Sequence, residues 1–141
     1  MAHDFLSQIL ILLAGSLLVL SLVRRFKLPP ILGYLPTLLP IPVAPFAEAI
    51  REPGTVLLDI RDIASFGGGH IAGAQNIPLR ETFPIWAGWM LDPQSDIYLV
   101  MENEACLDVA VRHLLRVGFD NLVCYLGRGM DAWFEAGMPF Q

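Results

Sequence analysis

The hydrophobic pattern divides the chain in two. From Phe5 to Val23 it runs without a charged residue, with one glutamine and scattered serines as its polar side chains. Those 19 residues rise about 28 Å as an α-helix, at roughly 1.5 Å each, enough to cross a hydrocarbon core. A soluble core helix of that length should carry a polar stripe, and this one is apolar all round. A cleaved signal peptide should begin with basic residues and end at a small-residue cleavage site. Here no Lys or Arg precedes the run, and Arg24-Arg25-Phe26-Lys27 follows it. The pattern therefore predicts a single transmembrane helix over 5–23, inside an anchor of 1–27. Basic residues on its C-terminal side place everything beyond on the cytoplasmic face of the cell (inner) membrane. Pro36, Pro40, Pro42 and Pro45 then interrupt the chain, which predicts a Pro-rich linker over 28–44 and a globular domain over 45–141.

In that domain the pattern alternates between two periods. Residues 45–52 fit a short helix ending at Pro53-Gly54, and Thr55-Val-Leu-Leu-Asp-Ile60 fits a strand buried on both faces. Gly67-Gly68-Gly69 breaks the chain before a short strand at 74–78. A helix follows at 81–91, its apolar side formed by Trp86, Trp89 and Met90. Residues 96–101 read as a strand and 121–126 as another. Between them, 104–117 reads as an amphipathic helix with Cys106, Val109, Ala110, His113, Leu114 and Val117 on the buried face, stopped by Gly118. A last helix is predicted at 130–136. Alternating strands and helices imply an α/β fold, a mostly parallel sheet flanked by helices.

Charge narrows the function classes. From residue 51 onward six Arg face twelve Asp and Glu, with no basic cluster, which argues against a nucleic-acid partner. The two cysteines, Cys106 and Cys124, cannot build a disulfide framework and have no metal-ligand neighbours, so no metal or other cofactor is expected.

Two resemblances follow from these words. Residues 4–35, with the Arg pair and Leu28-Pro29-Pro30-Ile31-Leu32-Gly33-Tyr34-Leu35, resemble the start of monovalent cation/proton antiporters of the glutathione-regulated potassium-efflux type. One and a half helices cannot form a transport pathway, so this resemblance implies an anchor or a fusion remnant. The domain itself resembles the rhodanese superfamily. Leu58-Asp59-Ile60-Arg61, Gly69-His70-Ile71-Ala72-Gly73-Ala74 and Asn76-Ile77-Pro78-Leu79 look like its opening signature. Gly127-x-Gly129-Met130-x-Ala132-Trp133-x-x-x-Gly137-x-Pro139 looks like its closing one. The middle, with Phe83-x-x-Trp86-Ala87-Gly88-Trp89, is similar to the rhodanese modules fused to metallo-β-lactamase-fold hydrolases. The hydrolase's His-x-His-x-Asp-His motif does not occur here.

That resemblance implies a rhodanese-like fold and a cysteine thiolate at the end of the central strand, which accepts sulfane sulfur as a persulfide. The loop behind it should wrap the sulfur in backbone N–H groups and lead into a helix N-terminus. Aligned on Val100 and Ala110, the nucleophile's position is Met101, and a thioether carries no ionisable proton and no persulfide. The expected binding loop is Met101, Glu102, Asn103, Glu104, Ala105 and Cys106. Leu107 stands where the family has a serine. Glu102 and Glu104, with Asp108 behind, are expected to repel an anionic substrate and disfavour a nearby thiolate. No catalytic residue is assigned with Met101 in that place.

Cys106 is the one substitute candidate, read either as a nucleophile at the first helical turn or as a small apolar residue on the helix's buried face. Asp59, Arg61, Gly69, His70 and Gly73 are read as architecture: charge-assisted hydrogen bonds at the strand end, and a tight turn. Trp86 and Trp89 are read as core, with a ligand-facing lip as the alternative. The leading expectation is a membrane-anchored, catalytically inactive rhodanese-like domain, a binding or regulatory module that engages a protein partner or a small anion through its altered loop. The competing readings are a sulfurtransferase that uses Cys106, and a regulatory fragment related to a cation/proton antiporter.

Overall fold

The computed structural model describes residues 38–141. The predicted membrane helix, the basic residues after it and the antiporter-like words lie outside the described residues. Among the described residues no helix is long and apolar enough to cross a membrane.

Strand β1 spans Leu39–Ile41, β2 Thr55–Asp59, β3 Gln75–Asn76, β4 Asp96–Val100 and β5 Leu122–Leu126. All pair in parallel, in the order β1-β5-β4-β2-β3. Each parallel crossover runs through a helix: α1 Val43–Ala49, α2 Ile63–Gly68, α3 Phe83–Met90, α4 Leu107–Arg116 and, after β5, α5 Gly129–Glu135.

Side chains alternate across the strands, so the sheet feeds two cores. Leu58, Ile97, Leu99 and Tyr125 point to the side covered by α3 and α4, where Phe83, Ala87, Ala110 and Leu114 meet them. Leu57, Tyr98, Val100, Cys124 and Leu126 point to the side covered by α1 and α5, against Phe46, Met130 and Trp133. Phe46 and Phe83 are fully buried, and each such side chain contributes roughly 1.5–3 kcal/mol relative to exposure.

Four sequence expectations change. Residues 39–44, expected in the linker, form β1 and the start of α1, so the folded unit begins at Leu38. Proline reads as a breaker, but an edge strand tolerates it because one flank needs no donors. Helix α2 arises where only a glycine break was expected: Asp62 caps it, its carboxylate accepting from Ile63 N–H at 2.8 Å. The buried stripe of α4 is Ala110, Val111 and Leu114, with Leu107 half-buried, a rotation from the expected face that leaves Val109, Val117 and Cys106 exposed. A 3-10 turn over Glu104–Cys106 ends the loop before α4 begins at Leu107, so Cys106 lies outside the α-helix. Lastly, Trp86, Trp89 and Met90, expected as core, face solvent.

Candidate functional site

The C-terminal ends of parallel strands and the loops that follow them converge at one end of the sheet, the usual place for a site in this architecture. Here the loops after β2, β3 and β4 enclose a cavity of about 250 Å³. Ile60, Arg61 and Asp62 line it from the first, Pro78, Leu79 and Arg80 from the second, and Met101, Glu102, Asn103 and Cys106 from the third.

Arg61 belongs to a buried ion pair with Asp59. Arg61 Nε donates to both carboxylate oxygens of Asp59 at 3.0 Å, and Nη2 donates to Oδ2 at 2.7 Å. The same Nη2 donates to the carbonyl of Gly69 at 2.9 Å. Asn76 Nδ2 adds bonds to the carbonyls of Asp59 and Arg61, both at 3.0 Å. Charges this deep persist only when paired and fully hydrogen-bonded, and these are.

His70 is held in the same way. Its Nδ1 lies 3.0 Å from the Phe66 carbonyl, which fixes the ring proton on Nδ1. The ring stacks on Phe66 at 3.8 Å between centroids. It does not line the cavity. Gly69 leaves room for Phe134 and Phe140, which a Cβ there would crowd at 3.0 and 3.3 Å, and Gly73 turns the chain at φ +83°.

Met101 closes β4 and is buried, its thioether part of the core beneath the cavity. The loop after it is folded on itself. Asn103 Oδ1 accepts from Ala105 N–H at 2.9 Å, and the Asn103 carbonyl accepts from Cys106 N–H at 3.0 Å. Leu107 N–H, in turn, donates to the Glu104 carbonyl. Those three amides point into the loop's own turns and are not free to receive an anion in the cavity.

The charged rim differs from expectation in its members. Glu102 lines the cavity and accepts a hydrogen bond from the Ser65 hydroxyl. Glu104 does not line it; its carboxylate lies against Tyr125, whose phenol it helps burial to push upward in pKa. Asp62 takes its place on the rim, paired with Arg80 at 2.5 Å. The Ile63 N–H, with Arg80 second, holds that carboxyl below the usual range. Sequence reading missed Asp62, Ser65 and Arg80, although their positions just past two strand ends carried the signal.

Cys106 is exposed at the cavity wall, against the reading that put it on a buried helix face. Cys124 is core, and burial pushes its thiol up to about 11. Among the described residues no group of His, Cys, Asp and Glu could hold a metal ion.

Residues 43–136 match the family model of the rhodanese-like domain. The chain belongs to the rhodanese-like domain family. Among curated rhodanese relatives, the thiosulfate sulfurtransferase GlpE of Pseudomonas fluorescens is 29% identical over 87 residues, covering 62% of this chain and 77% of that protein. The rhodanese-like domain of the Alr3790 protein from Anabaena superposes with a TM-score of 0.57 at 32% identity, covering 67% of this chain and 97% of that one. A rhodanese-related protein from Thermoplasma volcanium gives a TM-score of 0.59 at 27% identity, over 73% of this chain and 97% of that one.

Proposed function

We propose that this rhodanese-like domain is a catalytically silent binding module, tethered to the inner membrane by residues 5–23 and facing the cytoplasm. The observation that carries this reading is Met101 at the end of β4. In a rhodanese that position supplies the thiolate, and a buried thioether can neither attack a sulfane donor nor hold a persulfide. The electrostatics support it. Glu102 faces the cavity, and the loop amides of Ala105 and Cys106 are already engaged, so an anion such as thiosulfate meets a carboxylate and finds those two amides taken. The words around Phe83 and Trp86 further suggest descent from the modules fused to metallo-β-lactamase-fold hydrolases.

A second reading is favoured by one observation: Cys106 is exposed on the cavity wall. There it could carry sulfur in place of the missing thiolate, with GlpE as the model activity. Mass spectrometry of the purified chain after thiosulfate treatment separates the two. The binding-module reading expects no sulfur adduct, and an added sulfur atom on Cys106, lost in Cys106→Ser, overturns it. The tether is tested by an Ala2→Cys variant in intact cells, which an impermeant maleimide should label from outside; protection of that cysteine reverses the topology.

A further inference from the structure

Helix α3 (Phe83-Pro-Ile-Trp-Ala-Gly-Trp-Met90) has no polar side chain, yet it gives the core only Phe83 and Ala87. Ile85, Trp86, Trp89 and Met90 are 53%, 49%, 78% and 51% exposed. The outward face of a helix on a globular domain is where polar residues normally gather. Here two indoles, fixed edge to face at 5.9 Å, occupy it. A contiguous apolar face of this kind marks an interaction surface, and Trp with aliphatic neighbours is the composition of interface hot spots.

Part of that face, at Trp86 and Met90, is concave. A second cavity, of about 270 Å³, opens between α2 and α3, walled by Ile63, Ile77, Trp86 and Met90. It shares Pro78 and Arg80 with the cavity over Met101. The two adjoin: the one between α2 and α3 is mainly apolar, with Asn76 and Thr82 in its wall, Arg80 at the junction is neutralised by its pair with Asp62, and Glu102 borders the far end. Among the described residues Glu102 is hydrogen-bonded to Ser65 and joins no ion pair.

We propose that this groove docks a segment of a partner protein in which an aliphatic or aromatic anchor is followed within a few residues by Lys or Arg. The anchor packs against Trp86 and Met90, and the cation meets Glu102. The inference rests on the binding-module reading and gives its partner a chemistry. Charge complementarity selects this occupant. Glu81 and Asp92 flank α3 and the domain is acidic, so an anionic bilayer surface is repelled and a second copy of the domain meets like charge. A concave groove, moreover, accepts a side chain, whereas a bilayer takes up protruding ones.

The test uses the full chain in nanodiscs of phosphatidylcholine, panned against a phage library of random short peptides. Enriched peptides should pair an apolar anchor with Lys or Arg. A synthetic peptide of the enriched sequence should bind Trp86→Ala about tenfold more weakly than wild type, as for a hot-spot aromatic, and bind Glu102→Lys more weakly than Glu102→Gln. Trp86 is half exposed, so its removal leaves the core intact. Enrichment of acidic peptides overturns the proposal, as does binding indifferent to Trp86→Ala and Glu102→Lys alike. Quenching of Trp86 and Trp89 fluorescence by brominated lipid assigns the face to the bilayer instead, and a dimer lost in Trp89→Ala assigns it to a second copy; either overturns it. Peptide binding that ignores both substitutions removes this groove but keeps the binding module, whereas a sulfur adduct on Cys106 removes the module reading itself.

Discussion

Gly129 is pressed against the carbonyl oxygen of Met101: a Cβ on residue 129 would stand well inside contact distance of that oxygen. The same glycine has φ +56°, and Arg128 before it has φ 60°. Two consecutive left-handed residues thus turn the chain from β5 into α5, against the end of β4.

Gly129→Ala should therefore destabilise the domain by about 2 kcal/mol or more, since the left-handed backbone alone costs a non-glycine residue roughly 1–2 kcal/mol and the clash adds to it. Urea unfolding measures the loss. A change near zero would mean that α5 can shift away from Met101 at no cost.

The Asp59–Arg61 pair makes a larger prediction. Asp59→Asn leaves a guanidinium buried without its counter-charge, and such a break costs roughly 3–5 kcal/mol. Adding Arg61→Met should recover part of it, because removing both charges removes the desolvation penalty too. Unfolding of both variants in urea reads the two effects. Recovery by the second substitution separates a charge effect from a shape effect.

Restoring a nucleophile tests the site's electrostatics. Met101→Cys alone should give little thiosulfate-to-cyanide transfer. Glu102→Gln in that background should raise the rate about tenfold, the equivalent of one pKa unit of thiolate stabilisation. Glu104→Gln should add nothing, because Glu104 lies beside Tyr125 and not on the cavity wall. Equal gains from both glutamates would place Glu104 within reach of the sulfur.

The two cysteines should behave oppositely toward an alkylating reagent. Cys106, exposed, should react in the native protein, and Cys124 only on unfolding. Burial raises the Cys124 thiol from 9.0 to about 11. The unfolded chain therefore releases this proton first. Its contribution to stability is complete below pH 9.0 and is lost as the pH climbs toward about 11. Burial raises Tyr98 and Tyr125 in the same direction. Cys124→Ala should flatten the alkaline limb of a thermal-melt series against pH; an unchanged limb would assign it to the tyrosines.

Much of this fold was legible in the chain. The strands at Thr55, Asp96 and Leu122 announce themselves as continuous runs of apolar residues because they are buried on both faces. The three signature words place Asp59, Arg61 and the loop after Val100 at one end of the sheet. What escaped did so for definable reasons. Pro40 hid β1, since a proline is tolerated on an outer edge. The glycines at 67 and 68 hid α2, whose start depends on the Asp62 cap. The Trp helix misled most: apolar residues read as core, and only the packing of Phe83 and Ala87 shows which side faces in. Cys106 was misplaced by one helical stripe, because nothing in the periodicity signals a 3-10 turn before the α-helix begins.

Strand β1 is three residues long and hangs from β5 alone. Tension arriving along the chain from before Leu38 is met by that one buried leucine and those few rungs, ahead of the rest of either core. Pro40, lacking an N–H, keeps the outer side of β1 a poor template for another strand. Were β1 peeled away, β5 would be left with an open flank carrying no such guard. The seam between β1 and β5 is thus where such a pull finds the sheet thin, three paired residues deep.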